Sequence, residues 1–207
     1  MEKNFTKNIE HESAKKHVTG KAIYTDDIPE PRNLLHAAIG YSNCSKGIIK
    51  KIDLKDVFNS EGVVDVISEK DINGINDVGP IFKGDKIFTS KKIEYYGQPI
   101  FAVIATSNIL AKKASLKAKI IVEELKPILT IKDAMKKKSY VLKPKFLSKG
   151  DTKNNLKKSK NILSGEVYSG GQDHFYLEGQ IAMSIPQEDD NFLVYSSTQH
   201  PSETQQI

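Results

Sequence analysis

The run Ile100-Phe101-Ala102-Val103-Ile104-Ala105 limits what this chain can fold into more than any other stretch. It is too short to cross a bilayer, and it is bounded by Tyr96-Gly97-Gln98-Pro99 on one side and Ser107 on the other, so it reads as a strand. A strand without a polar position has no face to offer to water, and other elements must cover both of its sides. Ser107 then stands where a helix N-cap is needed. Leu110, Ala111, Ala114 and Ala118 follow at three- and four-residue spacing, which predicts a helix with one apolar face. Ile120-Ile121-Val122-Glu123 returns as a strand and closes the unit.

The rest of the chain mixes short apolar runs with turns, which argues for an α+β class. Leu34 to Gly40, Ile48 to Ile52 and Val63 to Ile67 read as strands, with Asp53 as the N-cap of a short helix through Val57 and Phe58 that ends before Gly62. Asn73-Gly74 and Gly79-Pro80 mark a loop. Residues 127–163 hold prolines, many lysines and little periodicity, so they read as a connector with one short helix around Ile131 to Met135. After it, Val167-Tyr168, Phe175-Tyr176-Leu177, Ile181 to Ile185 and Phe192 to Tyr195 read as strands, in a segment that buries too little apolar surface to stand alone. The organisation expected is a polar leader over 1–16, a mixed domain over 17–126, the lysine-rich connector over 127–163, and a further, incomplete unit over 164–207.

Composition removes several classes of function. No stretch reaches the roughly eighteen apolar residues of a membrane span, and Met1 to Gly20 is polar and charged, so a cytoplasmic protein without membrane contact is expected. Cys44 is the only cysteine, so the chain alone holds no iron–sulfur cluster, thiolate zinc site or internal disulfide; a surface or half-buried thiol is expected. The formal charge of +5 invites a nucleic-acid reading, but Arg32 is the sole arginine and the lysine-rich stretch has few aromatics for stacking, so nucleic acid is not an expected partner.

Classical catalytic arrangements are missing as well. His11, His17, His36, His174 and His200 lack the close spacing of a metal-binding helix or finger, and His174 reads as a hydrogen-bonded strand residue. Asp173 and Glu178 would fall on opposite faces of a strand, roughly 16 Å apart by strand rise. Gly170-Gly171 is too short to cradle a phosphate. Gln172 and Gln199 remain, two amides on or beside apolar strands, and each either knits strands together or faces a polar ligand.

Several long words nonetheless stand in a definite order: His17-Val18-Thr19-Gly20-Lys21-Ala22-Ile23-Tyr24-Thr25-Asp26-Asp27-Ile28-Pro29, Leu35-His36-Ala37-Ala38, Tyr96-Gly97-Gln98-Pro99, Gly170-Gly171-Gln172-Asp173-His174-Phe175-Tyr176-Leu177-Glu178 and Ser197-Thr198-Gln199-His200-Pro201-Ser202. Through them the chain resembles the molybdenum-binding subunits of the xanthine dehydrogenase and aldehyde oxidase family of molybdenum hydroxylases, over nearly everything from His11 onward. The resemblance implies an α/β hammerhead domain over 17–126 and the first strands of an incomplete molybdopterin-binding domain over 164–207.

The resemblance also implies a role for particular residues. Gln199 matches the glutamine that donates a hydrogen bond to an oxygen ligand of molybdenum, without ligating the metal directly. Gln172 and Glu178 match a strand motif that supports the cofactor pocket. Molybdenum–molybdopterin is the implied cofactor, shared with the rest of the molybdenum subunit, while iron–sulfur clusters and FAD sit on partner domains or subunits. The implied reaction is hydroxylation of purines such as hypoxanthine and xanthine with water, electrons passing towards NAD. The base glutamate and the glycine-rich loop of the family are expected beyond Ile207, so no catalytic residue is expected here and the chain is expected to be inactive alone. The competing expectation is a non-catalytic hammerhead scaffold that binds sister subunits.

Overall fold

A computed structural model describes residues 10–207, so most of the leader expected over 1–16 lies outside the described residues. The chain enters through a short helix α1 (Ala14–Val18) and a 3-10 turn (Thr25–Asp27). Strands β1 (His36–Tyr41), β2 (Gly47–Asp53), β3 (Val63–Ser68), β4 (Lys92–Ile93), β5 (Pro99–Ala105) and β6 (Lys119–Glu124) then form two antiparallel three-stranded sheets. β5 lies between β1 and β3 in one, and β2 lies between β4 and β6 in the other. Helices α2 (Lys55–Phe58) and α3 (Asn108–Ser115) connect them.

The apolar run becomes the central strand β5, and it is covered on both sides as its sequence requires. Val103 and Ala105 expose nothing, and Ile100 and Phe101 expose 1%. Ile100, Phe101 and Val103 join Val57, Val66 and Ile93 in the main core cluster, while Ala105 packs with Ala38 and Ala111 in a second, smaller one. Ser107 caps α3 by accepting the Leu110 N–H at 3.3 Å, and Ala111 and Ala114 bury the helix face against the sheet. Ala118 lies past the end of this helix and is partly buried against the core.

Two local expectations change. Asp53 is not the N-cap of α2; Leu54 occupies that position, because Asp53 is still paired with Lys119 in the β2–β6 ladder. Its carboxylate reaches the Lys55 N–H at 3.2 Å from one residue earlier. Cys44 is buried, not superficial, because it joins the cluster of Ile49, Ile93 and Ile100.

The long connection from β3 to β4 is held by side-chain acceptors instead of by regular structure. Asp77 receives the Gly79 N–H at 2.8 Å and the Gly84 N–H at 2.6 Å on its two oxygens. Asn76 exchanges two bonds with the Phe88 backbone, at 2.8 and 3.0 Å. The backbone donors on Asp77, Gly79 first, outweigh the desolvation that opposes them and hold its carboxyl below the ordinary aspartate value. The folded value lies below the unfolded one, so the stability this group contributes is present above the unfolded pKa of about 3.9 and is lost as pH falls through the folded value. Asp77→Asn is therefore expected to lower the melting temperature at neutral pH and to converge with the wild type as pH falls through the folded value. Melting curves from pH 7 to 2.5 test this; a constant offset down to the lowest pH would contradict it.

The C-terminal part differs more from expectation. Residues 127–163 carry two helices, α4 (Ile131–Lys136) and α5 (Thr152–Lys158), where one was expected; the second starts with the Asp151 carboxylate on the Asn154 N–H at 3.1 Å. A hairpin of β7 (Ala182–Pro186) and β8 (Phe192–Ser196) forms as expected and is followed by α6 (Pro201–Gln206). No strand forms at Val167-Tyr168 or Phe175-Tyr176-Leu177. Phe175 has φ 49°, a left-handed conformation that breaks an extended run, and these residues are exposed with no strand to pair with.

Candidate cofactor-facing site

Gln199 sits in a bend between β8 and α6, and its neighbours explain why the bend is ordered. At the open end of the hairpin, the Ser197 N–H donates to the Ile181 carbonyl at 3.0 Å and the Ile181 N–H donates to the Ser197 hydroxyl at 2.9 Å. The Thr198 N–H turns back to the Ser196 carbonyl at 2.9 Å, and the His200 N–H reaches the Thr198 hydroxyl at 3.0 Å. Pro201 opens α6, a position where its missing N–H costs nothing and its fixed φ suits the first turn. The Thr204 hydroxyl closes the bend from the far side by donating to the His200 carbonyl at 3.1 Å. Every flanking residue is thus engaged, while the Gln199 side chain is exposed.

Gln199 therefore lies beside the apolar strand and not on it. The bend holds it through side-chain hydroxyls at 197, 198 and 204, and a Ser-Ser-Thr run directly before a Gln-His-Pro step is the sequence signal for such a turn. His200 Nδ1 lies 3.9 Å from the Glu203 carboxylate one turn into α6.

The two residues expected to support the pocket lie in different surroundings. Gln172 is exposed on irregular chain, so it knits no strands together; the strand expected around it is absent. His174 is likewise exposed and off any strand. Glu178 is half-buried, and its carboxylate accepts the backbone N–H of Thr25 at 2.8 Å. No hydrogen bond joins Gln199, Gln172 and Glu178 to one another among the described residues.

One further family word has a purely structural use. Gln98 is buried; its side-chain oxygen accepts the Glu94 N–H at 2.8 Å, and its own N–H donates to the buried Ser42 hydroxyl at 3.0 Å. Gly97 supplies φ 81° at the turn, a conformation that suits glycine. Tyr96-Gly97-Gln98-Pro99 is the latch that aims β5 into the core.

Residues 19–126 match the model for the α/β hammerhead domain of aldehyde oxidase and xanthine dehydrogenase, and residues 133–207 match that of the molybdopterin cofactor-binding domain. The chain belongs to the aldehyde oxidase and xanthine dehydrogenase family. Its architecture is accordingly a hammerhead domain followed by the start of a molybdopterin-binding domain. A xanthine dehydrogenase of Dictyostelium discoideum is 38% identical over 98% of this chain, and an aldehyde oxidase 2 of Macaca fascicularis is 39% identical over 95% of it. The chain spans 15% and 14% of these two relatives. Among solved structures, the aldehyde oxidoreductase from Desulfovibrio gigas superposes with a TM-score of 0.77 at 26% identity, covering 90% of this chain and 23% of that one.

The donor chemistry present fits the family's cofactor in one specific way. No group of three or more His, Cys, Asp or Glu that could hold a metal ion occurs among the described residues. A neutral amide exposed on an ordered bend is suited to donate a hydrogen bond to an oxygen of a bound group. No helix among the described residues is long and apolar enough to cross a membrane.

Proposed function

We propose that this chain is the hammerhead-bearing part of the molybdenum subunit of a xanthine dehydrogenase-type hydroxylase, acting on purines such as hypoxanthine and xanthine. The observation that carries the reading is the ordered bend that presents Gln199 exposed, its amide without a hydrogen bond among the described residues. In this reading Gln199 donates an amide N–H to an oxygen of the molybdenum–molybdopterin cofactor. The cofactor, when bound, supplies the two-electron oxidation that places oxygen from water on an electron-poor carbon. Because the bend is already formed, the donor is aimed without reorganisation during the reaction, and that is where such a group gains its effect. Gln172 and Glu178 act around the pocket and do not touch substrate. The remainder of the subunit completes the cofactor site, and iron–sulfur and FAD domains or subunits take the electrons.

A second reading has its own support, since an aldehyde oxidase matches as well as a xanthine dehydrogenase does, at 39% against 38% identity. The deciding experiment takes the native protein that carries this segment, measures its molybdenum and pterin content, and compares kcat/KM for xanthine with that for an aromatic aldehyde. Near-stoichiometric cofactor and a preference for xanthine of at least about tenfold, ~1.4 kcal/mol of transition-state binding, are expected. A preference for the aldehyde would move the chain to the other branch. Cofactor-free protein would leave the hammerhead as a scaffold for sister subunits.

A further inference from the structure

Two of the sequence words described above, far apart in the chain, meet at one bond. In the first, the Tyr24 N–H donates to the Asp27 carboxylate at 3.0 Å and the Asp27 N–H donates to the Tyr24 carbonyl at 3.0 Å, which closes the turn on itself. His17 Nδ1 lies 3.1 Å from the Tyr24 hydroxyl and ties the turn back to α1. Thr25 is the first residue of the turn, so its N–H has no partner within it. That N–H donates instead to Glu178, the last residue of Gly170 to Glu178, at 2.8 Å across 153 positions of sequence.

Among the described residues this is the only hydrogen bond between 10–126 and 164–207. It is also unlike an ordinary surface contact. The donor is backbone fixed in a formed turn, and the acceptor is a half-buried carboxylate, which makes the hydrogen bond charge-assisted. Glu178 stands three residues before Ile181, whose N–H and carbonyl are both taken by Ser197, and Gln199 follows two residues after Ser197.

The geometry points to Glu178 as a positioning residue: its carboxylate staples the entry turn of the hammerhead to the hairpin that presents Gln199. The staple sets where the Gln199 bend lies relative to the hammerhead. The staple itself stands on geometry alone; its effect on turnover rests on the function proposed above.

Thr25→Pro tests the donor from the opposite side. Proline removes the N–H, is favoured at the first position of a helical turn, and accepts the extended Tyr24 before it, φ −95° and ψ 169°. Hydrogen exchange at Ile181 and Ser197, with kcat and KM for xanthine, would be measured on holoenzyme carrying Glu178→Ala, Glu178→Gln, Thr25→Pro and the Glu178→Ala/Thr25→Pro pair. Glu178→Ala and Thr25→Pro are each expected to speed exchange about tenfold, the double variant no more than either. Glu178→Gln keeps an acceptor oxygen and is expected to stay within about threefold of wild type. In Glu178→Ala, kcat is expected to fall with KM unchanged, the pattern of a misplaced transition-state donor.

Additive effects of the two single changes, or unchanged exchange in Thr25→Pro, would overturn the staple. The expected exchange with unchanged kcat would overturn the positioning role. Wild-type protein that neither holds cofactor nor turns over would sink the proposed function, and the exchange results would still decide the staple.

Discussion

Phe101→Ala is expected to cost the folded protein about 3–5 kcal/mol, the range for truncating a large buried aromatic side chain. Phe101 is 1% exposed in the central strand, and its ring lies over Gly40 of the neighbouring strand, its partner in the β1–β5 register. A Cβ built at Gly40 would collide with three atoms of that ring, so the glycine exists to make room for the phenyl group. The pair is a fit of opposite sizes, and either partner can be broken. Gly40→Val is expected to destabilise as well, by the about 1–3 kcal/mol typical of overpacking or more, since the backbone on both sides is pinned by sheet bonds. Phe101→Leu keeps much of the volume and is expected to cost clearly less than the alanine. Domain stabilities are only about 5–15 kcal/mol, so the alanine variant loses a large share of the total. Chemical denaturation midpoints at constant m-value measure all three, and an alanine variant within 1 kcal/mol of wild type would show that the core lies elsewhere.

How far the fold was legible depended on whether a residue's partner lay nearby in sequence. β5 and α3 were legible because an unbroken apolar run and a Ser107 cap carry their meaning locally. Asp53 misled because its side chain suits a cap while its backbone belongs to the β2–β6 ladder, a pairing no local pattern announces. Cys44 misled for a similar reason: its polar surroundings in Asn43-Cys44-Ser45-Lys46 give no hint of Ile49, Ile93 and Ile100 around it. Phe175-Tyr176-Leu177 has strong strand propensity, but a strand needs a partner, and the backbone at Phe175 turns the other way.

The candidate site shows the same division. Gln199 was picked out through the word it belongs to, but the bend that orders it depends on Ser197 reaching Ile181 and Thr204 reaching His200. The word that holds Glu178 suggests a support of the pocket, and the contact the structure shows is to the backbone N–H of Thr25. A backbone donor leaves no trace in residue identity, which is why that contact could not be read beforehand. Three of the words thus have a visible structural part, an entry turn, a strand latch and the carboxylate that accepts the Thr25 N–H.

Gln199→Ala is expected to do the reverse of Phe101→Ala, leaving the fold intact and removing rate. The side chain is exposed and the bend is held by its neighbours, so stability should stay within about 0.5 kcal/mol of wild type. If the amide donates to an oxygen on which charge builds during the reaction, its loss should lower kcat by about 10²–10³-fold, the range for deleting one preorganised donor. kcat and kcat/KM should fall together, because the bond is made in the transition state and not in substrate binding. Gln199→Glu matches the side chain in size but replaces the donor with a charged acceptor, and it should not restore the rate. Molybdenum content measured on the same samples separates lost turnover from lost cofactor. A Gln199→Ala holoenzyme with full molybdenum and a kcat within threefold of wild type would remove Gln199 from the reaction and leave the bend as hairpin architecture, with Ser197 and Thr204 serving only to close it.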